Sequence, residues 1–235
     1  MTEPHEDAVL GFWSTRAAQA AKNELEGKAD QGERGAITGG KHLDPIRELI
    51  AELFVSAGVA PENIYRSKGI TLPGYYRPSK DWDLVVTDNN RLIAAIELKS
   101  QVGPSFGNNF NNRTEEALGN ATDIWRAFQE GSFGELRPWL GYVFVLEEAA
   151  GSIKAVRLPR MQFPPDPEFI GSSYKDRYGI LCERLIRERL YDAVWFVSTS
   201  ADGSIIDEPK PGLRFSDFKA ALLGRVAQVQ SLGEN

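Results

Sequence analysis

The clearest pattern of apolar and polar positions surrounds one short polar segment in the first half of the chain. Two apolar runs, residues 84–86 and 92–96, flank the polar residues 87–91. This pattern predicts an antiparallel β-hairpin that turns near Asn89-Asn90. Apolar side chains are expected on both faces of the strands, with Ile93 beside Val85 and Ala95 on one of them. The hairpin should therefore lie in the covered centre of a sheet.

Helical spacing of apolar residues predicts the elements around the hairpin. Helices are expected over residues 9–26, from Asp44 as cap with Pro45 as the first helical residue, from Thr114 onwards, and over residues 173–190 and 212–230. Strands are expected over residues 140–146 and 192–198, and an irregular connection over residues 159–172. A strand, helix, strand order implies a mixed sheet with a crossover helix. The fold class is therefore α/β, a central mixed β-sheet flanked by helices.

Length and composition indicate one globular domain. The 235 residues include 42% apolar and 26% charged side chains, and no Ser- or Pro-rich linker divides them. Within the domain, N-terminal helices are expected in residues 8–57, the core in residues 73–148, and further helices and a strand in residues 173–230. With neither a signal sequence nor a membrane-length apolar run, the expected location is the cytoplasm. The single cysteine, Cys182, excludes an internal disulfide, and its apolar neighbours favour a core position.

Two acids and a lysine mark the outer ends of the hairpin. Glu97 and Lys99 are two residues apart on one strand and must share a face. If residues 89–91 form a three-residue loop, Asp83 lies directly opposite Glu97, with Cβ atoms about 5 Å apart. A two-residue loop would place Asp83 opposite Ile96 and on the other face. We expect the first register.

These charged side chains need partners, because burying an unpaired charge is costly. A salt bridge of Lys99 with Glu97 or Asp83 would satisfy the need. The alternative is a divalent cation held by both carboxylates, with Lys99 beside the reacting group; oxygen ligands favour magnesium or manganese over zinc. Without a cation, repulsion between the carboxylates should raise the pKa of at least one of them.

Residues suited to nucleic-acid contacts surround the hairpin, although the net charge of −6 speaks against a uniformly basic surface. Residues 102–113 are expected to form a loop whose amides pair with adenine and whose arginine pairs with guanine; Asn-rich tight turns are the alternative. Basic residues before Asp83 and in the glycine-rich segment 27–42 suit phosphate contacts, or are ordinary surface charge. The candidates are Arg77, Lys80, Gln101, Asn108, Asn109, Asn111, Asn112, Arg113, Lys41 and His42.

An acid followed at a distance by Glu-x-Lys on a hairpin resembles the core of the PD-(D/E)xK nuclease superfamily. Trp82 stands where that pattern has proline, which leaves Asp81 as a competitor of Asp83 for the first acid. Three segments between residues 73 and 148 resemble the XhoI family of type II restriction endonucleases: PGYYRPSKDWDLVV, LIAAIELKSQVGPSFGNNFNNRTEEALGNATDIW and RPWLGYVFVLEE. The resemblance implies a restriction-endonuclease-like fold.

The resemblance also implies an activity and a set of roles. Asp83, Glu97 and the backbone carbonyl of Leu98 would hold Mg²⁺, with Mn²⁺ as a substitute, and Lys99 would orient the attacking water or steady the phosphorane charge. An acid from an early helix, Glu48 or Glu52, would support the site or a second metal ion. The substrate would be double-stranded DNA with the palindrome CTCGAG, cut after the first C by a homodimer. A companion methyltransferase would protect the host's own copies.

Other functions remain open on the residues alone. A DNA-binding module could keep Asp83, Glu97 and Lys99 only as a salt-bridge network. A metal-dependent hydrolase of small phosphate esters could use the same groups for catalysis. Within the nucleases, a structure-specific repair or resolving enzyme would share the core but not the sequence-specific cutting.

Overall fold

The predicted hairpin lies in the middle of a six-stranded sheet. The computed structural model describes residues 3–25, 41–88 and 91–233. The strands are β1 (Ile64–Tyr65), β2 (Thr71–Pro73), β3 (Ser79–Asp81), β4 (Leu84–Asp88), β5 (Arg91–Gln101), β6 (Trp139–Glu147), β7 (Ala193–Thr199) and β8 (Ile206–Asp207). The helices are α1 (Pro4–Leu25), α2 (Asp44–Ser56), α3 (Phe106–Gln129), α4 (Ala150–Ile153), α5 (Tyr174–Arg187) and α6 (Phe215–Gly233), with 3-10 turns at Lys41–Leu43, Pro61–Asn63 and Pro167–Phe169.

The sheet is mixed, as the element order predicts. Its strand order is β1-β4-β5-β6-β7-β8, in which β5, β6 and β7 run parallel and the other neighbours run antiparallel. Helix α3 leads from β5 to β6, and α5 precedes β7, so a helix bridges each parallel step. Strands β2 and β3 form a separate two-stranded ribbon just before β4. The α/β class and the restriction-endonuclease-like arrangement of sheet and helices are confirmed.

Two apolar clusters cover the two faces of the sheet. On one face, α1, α2 and α6 pack against Val86, Ile96 and Val143. On the other face, α3 and α5 pack against Val85 and Phe144. The second cluster contains the fully buried thiol of Cys182, as predicted. Because helices cover both faces, the central strands carry almost continuous apolar runs.

The expected register of the hairpin is correct, but the expected turn is wrong. Asp88 pairs with Arg91, which leaves two residues between the strands rather than three, and these two lie outside the described residues. A β-bulge then inserts Ile93, so that Val86 pairs with Ala94 and Leu84 with Ile96. The bulge moves Ile93 onto the face of Ala94, opposite to the predicted face. A one-residue shift on the bulged strand thus restores the register that a longer loop would have given.

Helix α3 begins earlier than predicted and contains the asparagine-rich segment. Phe106 is buried, Phe110 packs edge-on against Tyr178, and Ala117 continues the same stripe at helical spacing. The four asparagines between residues 108 and 112 therefore lie on helical turns and not in a loop. Their poor helix propensity is outweighed by the burial of the two phenylalanines, because tertiary packing stabilises helices more than propensity does.

The first two helices also differ from prediction at their ends. Helix α1 begins at Pro4, and Glu26 and the glycine-rich residues up to 40 lie outside the described residues. Asp44 is the first residue of α2 and not its cap; its carboxylate pairs with Arg47 at 3.0 Å, which competes with capping. No helix in the described part of the chain is both long enough and apolar enough to span a membrane.

A glycine between two strands and a helix gives a test of this packing. A Cβ atom at Gly141 on β6 would lie 2.7 Å from Ile96 Cδ1 and 3.0 Å from Phe218 Cζ. We expect Gly141→Ala to lower the free energy of unfolding by about 1–3 kcal/mol through overpacking. As a control, Gly224 on α6 has no atom within 4 Å of the added methyl group, and Gly224→Ala should raise stability by up to about 1 kcal/mol. Denaturant melts that show the same sign of change for both variants would contradict this account.

Candidate active site

Strand β5 continues past the end of its pairing with β4 and leaves an open edge. The last ladder pair is Leu84 with Ile96, while β5 runs on to Gln101. Asp83 occupies the first position of this edge: its N–H donates to the Ile96 carbonyl at 3.1 Å, and its Oδ2 accepts from the Leu98 N–H at 2.7 Å. The carboxylate of Asp83 is thereby fixed beside residues 97–99.

The structure brings Asp83, Glu97 and Lys99 together. Lys99 Nζ forms an ion pair with Glu97 Oε1 and lies 3.9 Å from Asp83 Oδ2. The residue Glu97 is 1% exposed, whereas the side chain of Asp83 is 37% exposed and faces the open edge. The ammonium group therefore stands between a buried and a partly exposed carboxylate.

Two further side chains hold Glu97 in place. Lys80 Nζ donates to Glu97 Oε2 at 2.7 Å and also to the Asp81 carbonyl at 2.9 Å. Asn120 Nδ2, on α3, donates to Glu97 Oε1 at 3.2 Å. Both oxygens of the buried carboxylate thus have donors, which lowers the cost of its burial.

Hydrogen bonds from Arg77 to two residues of α3 fix the orientation of Asn120. Arg77 donates to Asn120 Oδ1 at 2.7 Å, so that the amide nitrogen is turned towards Glu97. The same guanidinium donates to Asp123 Oδ2 at 2.8 Å, and Asp123 Oδ1 accepts the backbone N–H groups of Tyr75 and Tyr76. The connection that precedes β3 is therefore tied to α3 and, through it, to Glu97.

The electrostatics of the cluster separate the two acids. Burial and the nearby charge of Glu97 raise the pKa of Asp83, against the opposing effect of Lys99. Burial would also raise the pKa of Glu97, but the ammonium groups of Lys99 and Lys80 outweigh it and lower that pKa. Burial alone would lower the pKa of Lys99, yet the two carboxylates raise it. Glu97 is thus ionised, and Lys99 keeps its proton. Asp83 is the acid whose pKa is raised, as expected for one of the two carboxylates.

The competing acids do not join this cluster. Asp81 belongs to the β2–β3 ribbon, where it is exposed and accepts a hydrogen bond from Thr71 Oγ1 at 2.5 Å. Glu48 pairs with Arg66 at 2.9 Å, and Glu52 lies exposed on α2. Within residues 3–25, 41–88 and 91–233, no group of three or more His, Cys, Asp or Glu side chains could hold a metal ion. The role expected for Glu48 or Glu52 therefore stays a prediction.

The oxygen atoms that are present suit a hard cation. A hard divalent cation is commonly bound through one or two carboxylates and keeps several water molecules, so the carboxylates of Asp83 and Glu97 fit such an ion. The Leu98 N–H points to Asp83, and the N–H and C=O of one strand residue face the same edge. The Leu98 carbonyl therefore faces the edge occupied by Asp83.

The other candidate residues divide into three groups. Arg77 and Lys80 pair with Asp123 and Glu97, which ties both cations to the catalytic cluster. Asn108, Asn111 and Asn112 are exposed on α3, as is Lys41 on its 3-10 turn. Beside Asp83 and Lys99, a pocket is lined by His42, Gln101, Asn109 and Arg113. Gln101 is buried, and its amide donates to the Val102 carbonyl.

Comparison with known proteins shows the family to which this chain belongs. The family model described as restriction endonuclease XhoI matches residues 22–207. The chain belongs to the XhoI family of type II restriction endonucleases. Enzymes of this type are site-specific deoxyribonucleases that act on double-stranded DNA.

Curated relatives match the XhoI-family chain over most of its length. It is 42% identical over 219 residues to the type II restriction enzyme BstVI of Geobacillus stearothermophilus, covering 89% of this chain and 98% of the relative. It is 44% identical over 182 residues to the type II restriction enzyme XhoI of Xanthomonas vasicola, covering 76% of this chain and 72% of the relative. No solved structure matches the chain significantly.

Sequence reasoning about this XhoI-family chain missed Asn120 as a part of the site. The available signal was a polar residue on the apolar stripe of α3, since Asn120 and Asp123 lie between Ala117 and Ile124 on the buried side. Polar residues on a packing face need partners, and here the partners are Arg77 and Glu97. Arg16, which also lines the pocket beside Asp83, had no comparable signal in the sequence.

The raised pKa of Asp83 predicts how this site affects stability. Because the folded chain holds the Asp83 proton more tightly than the unfolded chain, the free energy of unfolding falls as pH rises from the ordinary aspartate range through the raised pKa. The Asp83→Asn variant lacks this loss, so its melting temperature should exceed that of the wild type at neutral pH but not at about pH 3. Asp81→Asn, which removes a neighbouring exposed carboxylate in the β2–β3 ribbon, is the matched control. A lower melting temperature for Asp83→Asn at neutral pH would contradict the electrostatic account.

Proposed function

We propose that this chain is a Mg²⁺-dependent restriction endonuclease that cuts the palindrome CTCGAG after the first C. One observation carries the catalytic part: Asp83, Glu97 and Lys99 converge at the open edge of β5, with Lys99 Nζ 3.9 Å from Asp83 Oδ2 and paired with Glu97. The specificity is supported by 44% identity to the type II restriction enzyme XhoI of Xanthomonas vasicola.

Mg²⁺ would be held by Asp83, Glu97 and the Leu98 carbonyl, with Mn²⁺ able to replace it. A metal ion held there would supply Lewis-acid chemistry, lowering the pKa of a water molecule and offsetting the charge of the phosphate. Lys99 keeps its proton at Nζ because both carboxylates raise its pKa, so it acts as a cation and not as a base. It is placed to donate to the attacking water and to the charge that develops on the phosphorane. Asn120 and Lys80 hold the two oxygens of Glu97 in position for this task.

Cutting both strands of a palindrome requires two such sites. Each chain supplies one cluster of Asp83, Glu97 and Lys99, which suits one strand. We therefore infer a homodimer in which the protein's twofold axis matches that of the DNA site. A companion methyltransferase is inferred from the same specificity, since the host's own copies of the site need protection.

Base recognition is assigned to the exposed side of α3. Asn108, Asn111 and Asn112 are exposed on its first two turns, directly after the catalytic strand. A side-chain amide can pair with both the donor and the acceptor of adenine in the major groove. A helix that presents such side chains from the edge of the active site is suited to lie in that groove.

Digestion of a plasmid that carries one CTCGAG sequence tests the proposed activity. In Mg²⁺ the wild-type chain should linearise the plasmid at that sequence, and chelation of the metal should stop the reaction. Glu97→Ala and Lys99→Ala should each reduce the cutting rate by at least about 100-fold, because each removes a group that acts on the reacting phosphate. Asp81→Asn, in the neighbouring ribbon, should cut like the wild type.

Other outcomes of the digestion would support the competing functions. Binding of the duplex without cutting in Mg²⁺ would support a DNA-binding module in which the three residues form only a salt-bridge network. Cutting at branched structures and not at CTCGAG would support a repair or resolving nuclease. Circular dichroism melts of both alanine variants would show whether a loss of cutting reflects lost folding instead.

The amides on α3 generate a second binding test. Asn111→Ala should weaken binding to the target duplex by about tenfold, in proportion to one lost base contact, with little effect on random DNA. Thr122→Ala, an exposed change about 16 Å further along the same helix, should leave both affinities unchanged. An equal loss on target and random DNA would assign Asn111 to the phosphate backbone.

A further inference from the structure

A pocket beside the catalytic cluster joins the two helical layers of the fold. It has a volume of about 280 Å³ and lies at the open edge of β5, where Asp83 and Lys99 form one wall. Arg16 of α1 approaches from one face of the sheet, and Arg113 of α3 approaches from the other. The pocket is therefore continuous with the active site but extends beyond the three catalytic residues.

The pocket is strongly basic within an acidic chain. Of the charged residues that line the pocket, Arg16, Lys99 and Arg113 are cations and Asp83 is an acid, whereas the whole chain has a net charge of −6. Lys99 is also paired with Glu97, which does not line the pocket. Arg16 forms no ion pair within the described residues, and Arg113 forms an ion pair with the half-exposed Glu116. Like charges gathered in a concave site repel one another, and an anion in the pocket would relieve that repulsion.

A buried histidine supplies polar groups between the two arginines. His42 is 5% exposed, and its Nε2 lies 3.1 Å from Ser100 Oγ, on the part of β5 that β4 does not cover. Its other ring nitrogen, Nδ1, is buried without a hydrogen-bond partner in the described part of the chain. Both His42 and Ser100 line the pocket, so a ligand there meets neutral donors as well as guanidinium groups.

We infer that this pocket binds a backbone phosphate of the DNA strand that is cut, the immediate neighbour of the phosphate at which Asp83 and Lys99 act. The inference rests on the proposed nuclease function and extends it to a second phosphate. Guanidinium groups bind phosphate oxygens bidentately, which suits Arg16 and Arg113. Because Asp83 and Lys99 line the pocket as well, its occupant lies next to the reacting phosphate.

The inference divides the residues of α3 between two tasks. Asn109 and Arg113 are four residues apart and share the face that lines the pocket, so they would position the backbone. Asn108, Asn111 and Asn112 are exposed elsewhere on the helix and remain available to bases. Arg113 is thus moved from the guanine contact that its sequence context suggests to a phosphate contact.

Methylphosphonate substitution of single phosphates in a CTCGAG duplex tests the inference. Binding is measured by fluorescence anisotropy in a metal-free buffer, so that no strand is cut. We expect one neutralised phosphate beside the scissile position to weaken wild-type binding by about tenfold, as for one lost charge-assisted contact. Arg16→Gln should weaken binding to the unmodified duplex by a similar factor, and its affinity should fall no further on the duplex with the neutralised phosphate. The slope of log affinity against log salt concentration should fall by about one.

Three further variants show whether the effect of Arg16→Gln is specific. Arg16→Lys keeps the charge and should retain part of the affinity, because an ammonium group binds one oxygen where a guanidinium binds two. Arg187→Gln removes the same charge from the last turn of α5, beyond the pocket, and should still respond to the modified phosphate as the wild type does. Arg113→Gln repeats the Arg16→Gln measurement from the other wall, and melting curves confirm that each variant is folded.

The outcomes separate the inference from the function on which it rests. If the fold-loss of affinity caused by Arg16→Gln or Arg113→Gln multiplies with the fold-loss caused by every methylphosphonate, neither arginine contacts a phosphate. The inference is then overturned, while the nuclease assignment stands. If the wild-type chain neither binds the duplex in this buffer nor cuts it in Mg²⁺, the proposed function itself is wrong.

Discussion

A buried carboxylate on the central strand is the interaction on which the site depends. Glu97 is 1% exposed and receives donors from Lys99, Lys80 and Asn120, which come from three different elements. Leaving a buried charge of this kind without its partner costs about 3–5 kcal/mol, so the elements that carry the partners are held to β5. The ribbon before β4 and helix α3 are thus tied to one point, and the same contacts present Glu97 and Lys99 to the open edge.

The open edge follows from a mismatch in strand length. Strand β5 has 11 residues and β4 has 5, and the bulge at Ile93 sets Asp83 opposite Glu97 just where β4 begins. Beyond that point β5 still pairs with β6, but its backbone groups on the other side have no neighbouring strand in the part of the chain that the structure describes. A buried acid, a more exposed acid and a protonated lysine therefore meet at an open edge of a covered strand.

Charge distribution reconciles an acidic chain with an anionic substrate. The net charge of −6 is spread over the whole protein, while three cations converge on the pocket beside Asp83. A concave site lined by one sign of charge can attract a phosphate backbone locally, whatever the sign of the total. Membership in the XhoI family agrees with this local arrangement, which composition alone would not have indicated.

The sequence alone determined the parts that depend on local periodicity. Period-two alternation placed Glu97 and Lys99 on one face, and apolar spacing identified the hairpin, the later strands and most helices. The family resemblance in residues 73–148 also came from the sequence, and the match to residues 22–207 confirmed it. The predicted register was correct although its predicted turn was wrong, because the bulge at Ile93 left no local pattern.

Tertiary structure decided every contact between separate elements. Lys80 and Asn120 reach Glu97 across separations of 17 and 23 residues, and Arg16 meets Arg113 only because α1 and α3 border the same edge from opposite layers. The start of α3 was likewise decided by the burial of Phe106 against the sheet, which overrode the low helix propensity of four asparagines. Local propensity and alternation act between near neighbours in the chain, whereas these contacts depend on how layers pack, and packing is a property of the whole fold.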